Sequence, residues 1–356
     1  FMKKYLKVFL SLIFGLVSTS TLAADFSVLN EDGKLIYYKI LSDGYTVEVC
    51  SPGSGNPRYS GDIKIPDTVK NPSTGLTYDV VGIGDRAFYP GDSGITITSI
   101  TFPTKNFQYI GGGAFNYCKS IENIEINSEH FNRLDVGAFG SCTAIKSVKI
   151  QSNSFTTIGN NAFGACYALE TISFPSTVTT IGTYAFSGCK ALQSIDLPMT
   201  INQIGEGAFM NCISLQSINL PNITKIESHT FNGCPRLKEI KLPTSLQEIL
   251  YDSESGTSNG AFENCTSLTK VIIDDSDRPL IIPKITFKDT PVMYVYMGRE
   301  LSEATFSGCK TLQKLDISDK VKKVVDNLFY SCTSLSEINF GINIERIGSS
   351  AFYCCP

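Results

Sequence analysis

Ten cysteines hold one fixed place in a recurring phrase: Cys118, Cys142, Cys166, Cys189, Cys212, Cys234, Cys265, Cys309, Cys332 and Cys355 each follow a phenylalanine by three residues. Thiols can bridge, bind metal or attack, so this column is the first candidate for chemistry. Adjacent strands lie about 4.7–4.9 Å apart. Parallel Cβ vectors at that separation exceed the roughly 3.5–4.5 Å that a disulfide needs. Thr290 stands in the cysteine's place in one repeat, which suits a small buried filler. The column therefore reads as free structural thiols. Zinc is not indicated, because short-spaced ligand pairs are missing apart from Cys354-Cys355. Cys50 and Cys354 are the off-column candidates for a bridge or a reactive thiol.

The remaining inventory for catalysis is thin. The two histidines, His130 and His229, fall in different repeats, and neither has a nucleophile and an orienting carboxylate in a recurring arrangement. Both read as loop or edge residues. Gly111-Gly112-Gly113 lacks the Lys-Ser/Thr of a phosphate loop. Asp274-Asp275-Ser276-Asp277 lacks the glycine and distant glutamate of a calcium loop, so it reads as a solvated turn. Asn222-Ile223-Thr224 and Asn264-Cys265-Thr266 match a glycosylation pattern that is common by chance. No catalytic, cofactor or metal residue is assigned, and an enzyme is not expected. A net charge of -4 with no basic run argues against a nucleic-acid partner.

The element that positions these residues is the phrase Ile-Gly-x-x-Ala-Phe-x-x-Cys-x-x-Leu-x-x-Ile-x-Leu-Pro, clearest from Ile158 to Pro243. Its phenylalanines are Phe88, Phe115, Phe139, Phe163, Phe186, Phe209, Phe231, Phe262, Phe287, Phe306, Phe329 and Phe352, most of them 22 to 25 residues apart. A fixed period of this length predicts one β-rich repeat solenoid of about twelve coils. Leu169, Ile172 and Phe174 recur as Leu192, Ile195 and Leu197, and the i, i+2 pair predicts a short strand with apolar residues inward. Pro175, Pro198, Pro221 and Pro243 end those strands, having no N–H for the ladder. The phenylalanines are expected to stack as an internal spine. Gly159, Gly182 and Gly205 share a column with Asp135, Glu227 and Val325, so a positive φ is not obligatory there.

Both ends differ from the repeat. Lys3, Lys4 and Lys7, the apolar run Val8 to Val17 and Leu22-Ala23-Ala24 follow the order of a secretory signal, assigned to residues 1–23. Residues 24–75 read as a β-rich capping region, with a hairpin through Ser42-Asp43-Gly44 and a strand at Ile63-Lys64-Ile65. The array is assigned to residues 76–356. Ala351 to Pro356 stop in mid-coil, so a C-terminal cap is missing from the sequence pattern.

Stacking sets the outward strand residues side by side. Most of these are ordinary polar surface, such as Thr171, Ser173, Ser194, Asp196, Ser217 and Asn219. Between Ile249 and Met297 the rhythm fails: an insertion at Asp252 to Asn259, the acidic turn, Thr290 for cysteine, and outward Tyr294 and Tyr296. Departures along one edge of a solenoid often build its binding face, and exposed tyrosine is a favoured contact residue. The candidate ligand-binding set is Tyr294, Tyr296, Lys270, Ile272, Lys241 and Glu239.

The Leu-x-x-Ile-x-Leu-Pro and Ile-Gly-x-x-Ala-Phe-x-x-Cys phrases, recurring in register over roughly residues 76–356, resemble the BspA-like leucine-rich repeat family of bacterial surface proteins. The resemblance implies a right-handed leucine-rich repeat solenoid. It also implies a non-enzymatic exported or surface protein whose partner is a protein or glycan, among them host matrix proteins such as fibronectin and fibrinogen, or other cells. A membrane would be reached only through export or an unseen anchor. The other functional class is a structural spacer that presents a further C-terminal domain.

Overall fold

A computed structural model describes residues 24–356, apart from 54–57, 92–95, 252–259, 285 and 288–289. The assigned signal segment, 1–23, and the insertion Asp252 to Asn259 lie outside the described residues.

Every named element is a β-strand, and two columns of strands run along the array. The longer, outward strands include Asn123–Asn127, Ser147–Gln151, Glu239–Leu242, Lys270–Ile273, Tyr294–Met297 and Lys314–Ile317. They pair in parallel one repeat apart, as in Ser147↔Asn123 and Lys270↔Tyr294. Their burial alternates as the i, i+2 pattern predicts: Ile124 and Ile126 are buried while Asn123, Glu125 and Asn127 are exposed. The second column consists of two-residue strands such as Arg133–Leu134, Thr157–Ile158 and Thr180–Ile181, joined in parallel.

The entry region is a meander of Phe26–Leu29, Leu35–Ile40 and Thr46–Val49. Asp43 holds its turn by accepting the N–H groups of Tyr45 and Thr46 at 2.8 and 2.9 Å. Thr46–Val49 pairs in parallel with Thr77–Ile83, which pairs in turn with Tyr109–Ile110. One ten-stranded sheet thus runs from the meander into the second column. The fold is the expected β-rich repeat solenoid. It has about ten turns, slightly fewer than the phenylalanines suggest, because a turn needs both its strands as well as its ring.

The rings form an unbroken stack from Phe88 to Phe352, with centroids from 4.8 Å (Phe88–Phe115) to 5.8 Å (Phe209–Phe231) apart. Tyr59 of the entry region caps it, 4.5 Å from Phe88. Full burial of one such side chain contributes about 1.5–3 kcal/mol.

The twelve cysteines are all free thiols. Most column thiols donate to the carbonyl of the phenylalanine one coil earlier, as in Cys142 to Phe115 at 3.0 Å and Cys166 to Phe139 at 3.2 Å. Burial pushes the Cys166 and Cys212 thiols up to about 12, which leaves them inert to oxidants and electrophiles. Thr290 turns instead to its own coil, donating to Phe287 O at 2.6 Å.

The backbone bends are not where the glycine column stands. A Cβ on Gly159 would lie 2.4 Å from Leu134 O, and one on Gly182 or Gly205 would lie 2.6 Å from a backbone nitrogen of the preceding coil. Those glycines permit close approach between coils. Positive φ falls in two other columns. One, just before the alanine, holds Arg86, Gly113, Gly137, Asn161, Tyr184, Gly207 and His229; the other, two residues after the phenylalanine, holds Tyr117, Ser141, Ala165, Gly188, Asn211, Gly233 and Asn264.

A left-handed L-residue costs about 1–2 kcal/mol. Ala165→Gly is expected to raise stability by about 1 kcal/mol and Gly188→Ala to lower it by about as much, since the nearest atom to the added Cβ at Gly188, Ala165 Cα, is at an ordinary contact distance of 3.6 Å. Denaturant titration checks both. Thiol titration should find twelve reactive groups in denaturant without reductant, and in native protein chiefly the exposed Cys354.

Candidate binding face on the outward sheet

The six candidate residues lie on three adjacent strands of one five-stranded parallel sheet. Glu239, Lys270, Tyr294, Lys314 and Glu337 form one outward row, and Lys241, Ile272, Tyr296, Asp316 and Asn339 the next. Between the rows, Ile240, Val271, Val295 and Leu315 point inward and are fully buried. Alternation at period two therefore aims both tyrosines outward, and both are half-buried.

Each polar group on this face has a fixed partner. Tyr294 Oη donates to Asp316 Oδ2 at 2.7 Å, and Asn339 Nδ2 to Asp316 Oδ1 at 2.6 Å. Tyr296 Oη donates to Asp275 Oδ1 at 2.9 Å. Lys270 pairs with Glu239 at 3.0 Å and Lys241 with Asp274 at 3.3 Å. Desolvation, reinforced by the bond to Asp316, pushes the Tyr294 phenol up to about 12. Burial opposes ionisation of Asp316, but the bonds from Tyr294 and Asn339 and the Lys314 charge outweigh it and hold the carboxyl below its ordinary value. Exposed ion pairs contribute only about 0–1 kcal/mol each. Their role here is to orient the side chains.

The acidic turn is not simply solvated. Asp274 meets Lys241, Asp275 meets Tyr296, and Asp277 meets Lys320 at 3.1 Å. Its swing past the sheet leaves a shallow depression lined by Asp275, Tyr296, Ser318, Asp319, Lys320 and Asn343. In the regular coils Thr171, Ser173, Ser194, Asp196, Ser217 and Asn219 are exposed, small and polar.

One residue that builds this region carries no motif. In five earlier coils a loop hydroxyl donates to a core carbonyl one coil back, Asn222 standing in its place in another: Ser128 to Phe107, Ser152 to Phe131, Thr177 to Phe155, Thr200 to Val178 and Ser245 to Ile223, at 2.6 to 2.8 Å. The next rung is missing, because the pairing Glu248↔Ile281 puts Arg278-Pro279 where Ser245-Leu246 stood. Arg299, only 1% exposed, reaches across that coil instead. Its Nη1 donates to Leu246 O and its Nη2 to Pro243 O, both at 2.7 Å. Desolvation lowers its pKa, with the Asp274 charge opposing. A missing Ser/Thr did not announce it in the sequence, because Asn222 lacks the hydroxyl at the same place in a regular coil.

The histidines stay apart. His130 is exposed; His229 lies in a turn, as a loop residue, but is buried there with Nδ1 3.4 Å from Glu206 Oε1. Its left-handed backbone turns the imidazole back over the preceding coil. Gly111-Gly112-Gly113 is structural: a Cβ on Gly111 would meet Asp85, and Gly113 is left-handed. Among the described residues no group of three or more His, Cys, Asp or Glu is placed to hold a metal ion, and no helix is long and apolar enough to cross a membrane.

The family model for BspA-type leucine-rich repeat regions, six copies, matches residues 67–175, 156–288 and 255–356. The chain belongs to the BspA-type leucine-rich repeat family. Among solved structures, this BspA-type chain is similar to a leucine-rich repeat protein from Bacteroides ovatus, at 26% identity and a TM-score of 0.54, covering 93% of this chain and 80% of that one. A leucine-rich cell surface protein from Faecalibacterium prausnitzii aligns at 21% identity and a TM-score of 0.44, covering 89% and 95%. A leucine-rich repeat protein from T. pallidum aligns at 19% and 0.39, covering 78% and 87%. No curated protein matches the chain.

Arg299→Met strips the Leu246 and Pro243 carbonyls of their donors and is expected to cost about 2–4 kcal/mol. Arg299→Lys should fall between, since an ammonium lacks the fork that spans both carbonyls. Urea titration followed by circular dichroism measures both.

Proposed function

We propose that this BspA-type chain is a non-enzymatic protein-binding module of an exported, surface-associated protein. It engages its partner through the outward face formed by Tyr294, Tyr296, Lys270, Ile272, Lys241 and Glu239. The observation that carries this reading is the interruption itself. Where the repeat loses its rung hydroxyl and its cysteine, the face exchanges small polar residues for two tyrosines anchored to Asp316 and Asp275. Anchored aromatics present contact area with little conformational entropy left to lose, which is the economy of a binding hot spot.

The partner class is extracellular protein, with host matrix proteins such as fibronectin and fibrinogen as the first to test. Residues 1–23 supply the export signal in this reading. The non-enzymatic assignment rests on the separation of His130 from His229 and on a face whose carboxylates are engaged in orienting tyrosines and lysines.

Surface plasmon resonance of residues 24–356 over immobilised fibronectin and fibrinogen tests this. Binding to at least one is expected, and Tyr294→Ser combined with Tyr296→Ser should weaken it about tenfold or more with an unchanged circular-dichroism spectrum. Unchanged affinity in the double variant contradicts the site.

A further inference from the structure

We propose that the depression beside Tyr296 is a carbohydrate subsite that takes one or two neutral sugar units of a glycan carried by the partner. The inference rests on the outward face being the binding face and names the chemistry that part of the face recognises.

The lining excludes other ligand classes first. Its charged members are Asp275, Asp319 and Lys320, and Lys320 is already paired with Asp277 at 3.1 Å. The excess is negative, so a phosphate, sulfate or acidic sugar would be repelled. A cation fits no better, because no group of three or more metal-ligating side chains converges among the described residues. An apolar side chain would bury carboxylate and ammonium groups without compensation. A neutral ligand rich in hydroxyls remains.

What the depression offers suits such a ligand. Tyr296 supplies an aromatic face against which the C–H side of a pyranose packs, and ring faces carry partial negative charge that favours it. Its hydroxyl is tied to Asp275 at 2.9 Å and lies within reach of Ser318, so the ring is held from the coils on both sides. Asp319 is equally fixed: its Oδ1 accepts Ile342 N–H at 2.8 Å, and its carbonyl accepts Asn343 Nδ2 at 2.9 Å. Each carboxylate thus keeps a second oxygen in a set place to accept a sugar hydroxyl, and such charge-assisted bonds are about twice as strong as neutral ones. Asp275, Tyr296, Ser318 and Asn343 belong to four successive coils. At about 4.8 Å per strand they span roughly 14 Å, wide enough to receive one or two sugar rings.

Arg299 marks the same region, holding the Pro243 and Leu246 carbonyls of the coil that precedes the Asp274–Asp277 turn.

Saturation-transfer NMR of residues 24–356 with methyl β-galactoside, methyl α-mannoside, methyl β-glucoside and methyl α-fucoside, each alone, is the test. At least one sugar should receive saturation. That signal should fall roughly fivefold or more in Tyr296→Ala, fall in the conservative Asp319→Asn, and persist in Ser217→Ala on the regular face. Transfer to none of the four sugars, or a signal that survives both site variants, overturns the proposal. Fibronectin or fibrinogen binding measured on the same samples separates the two readings. If it persists without any sugar signal, only the carbohydrate subsite is refuted; if both fail, the binding face falls with it.

Discussion

A typical repeat phenylalanine is linked to its neighbours in two ways at once. Its ring lies parallel to the next ring, and through most of the array its N–H donates to the carbonyl of the alanine column one coil on, as from Phe115 to Ala138, Phe139 to Ala162, Phe163 to Ala185 and Phe186 to Ala208, at 2.8 to 2.9 Å. The pair of contacts fixes register, because a coil that slipped by one residue would lose the ring and the hydrogen bond together. Alanine fits that column since the backbones meet there. The cysteine thiol adds a third link to the same phenylalanine's carbonyl from the following coil. A coil has no core of its own, so stability accumulates from these nearest-neighbour links.

Period made the fold legible. Any column with one required property, such as the ring, the thiol or the apolar strand positions, shows itself by recurrence, and those columns lie where their residue types demand. The left-handed columns do not show themselves, because arginine, asparagine, tyrosine, histidine, serine, alanine and glycine all occupy them. There the ladder of the neighbouring coils sets the backbone and the residue tolerates it. Glycine at positions 159, 182 and 205 pointed to a bend but serves close approach instead.

The face was legible in outline and not in detail. Alternation sufficed to place Tyr294 and Tyr296 outward, and stacking sufficed to set them beside Lys270, Ile272 and the Lys241 row. The partners of the tyrosine hydroxyls were not readable, because Asp275 and Asp316 sit on different neighbouring coils and their choice depends on where the acidic turn swings. Arg299 was hidden for a related reason: it bonds carbonyls more than 50 residues earlier, beyond the reach of any local pattern. Recurrence describes the scaffold, and the residues that break it describe what the scaffold presents.

If coil-to-coil coupling through the phenylalanine ladder governs the array, Phe209→Ala should act by distance along the stack. Native-state hydrogen exchange followed amide by amide measures this most directly. Protection should fall most in the coils of Phe186 and Phe231, less in those of Phe163 and Phe262, and little near Phe107 or Leu315. A uniform loss across the array, or a loss confined to the substituted coil, would contradict the account.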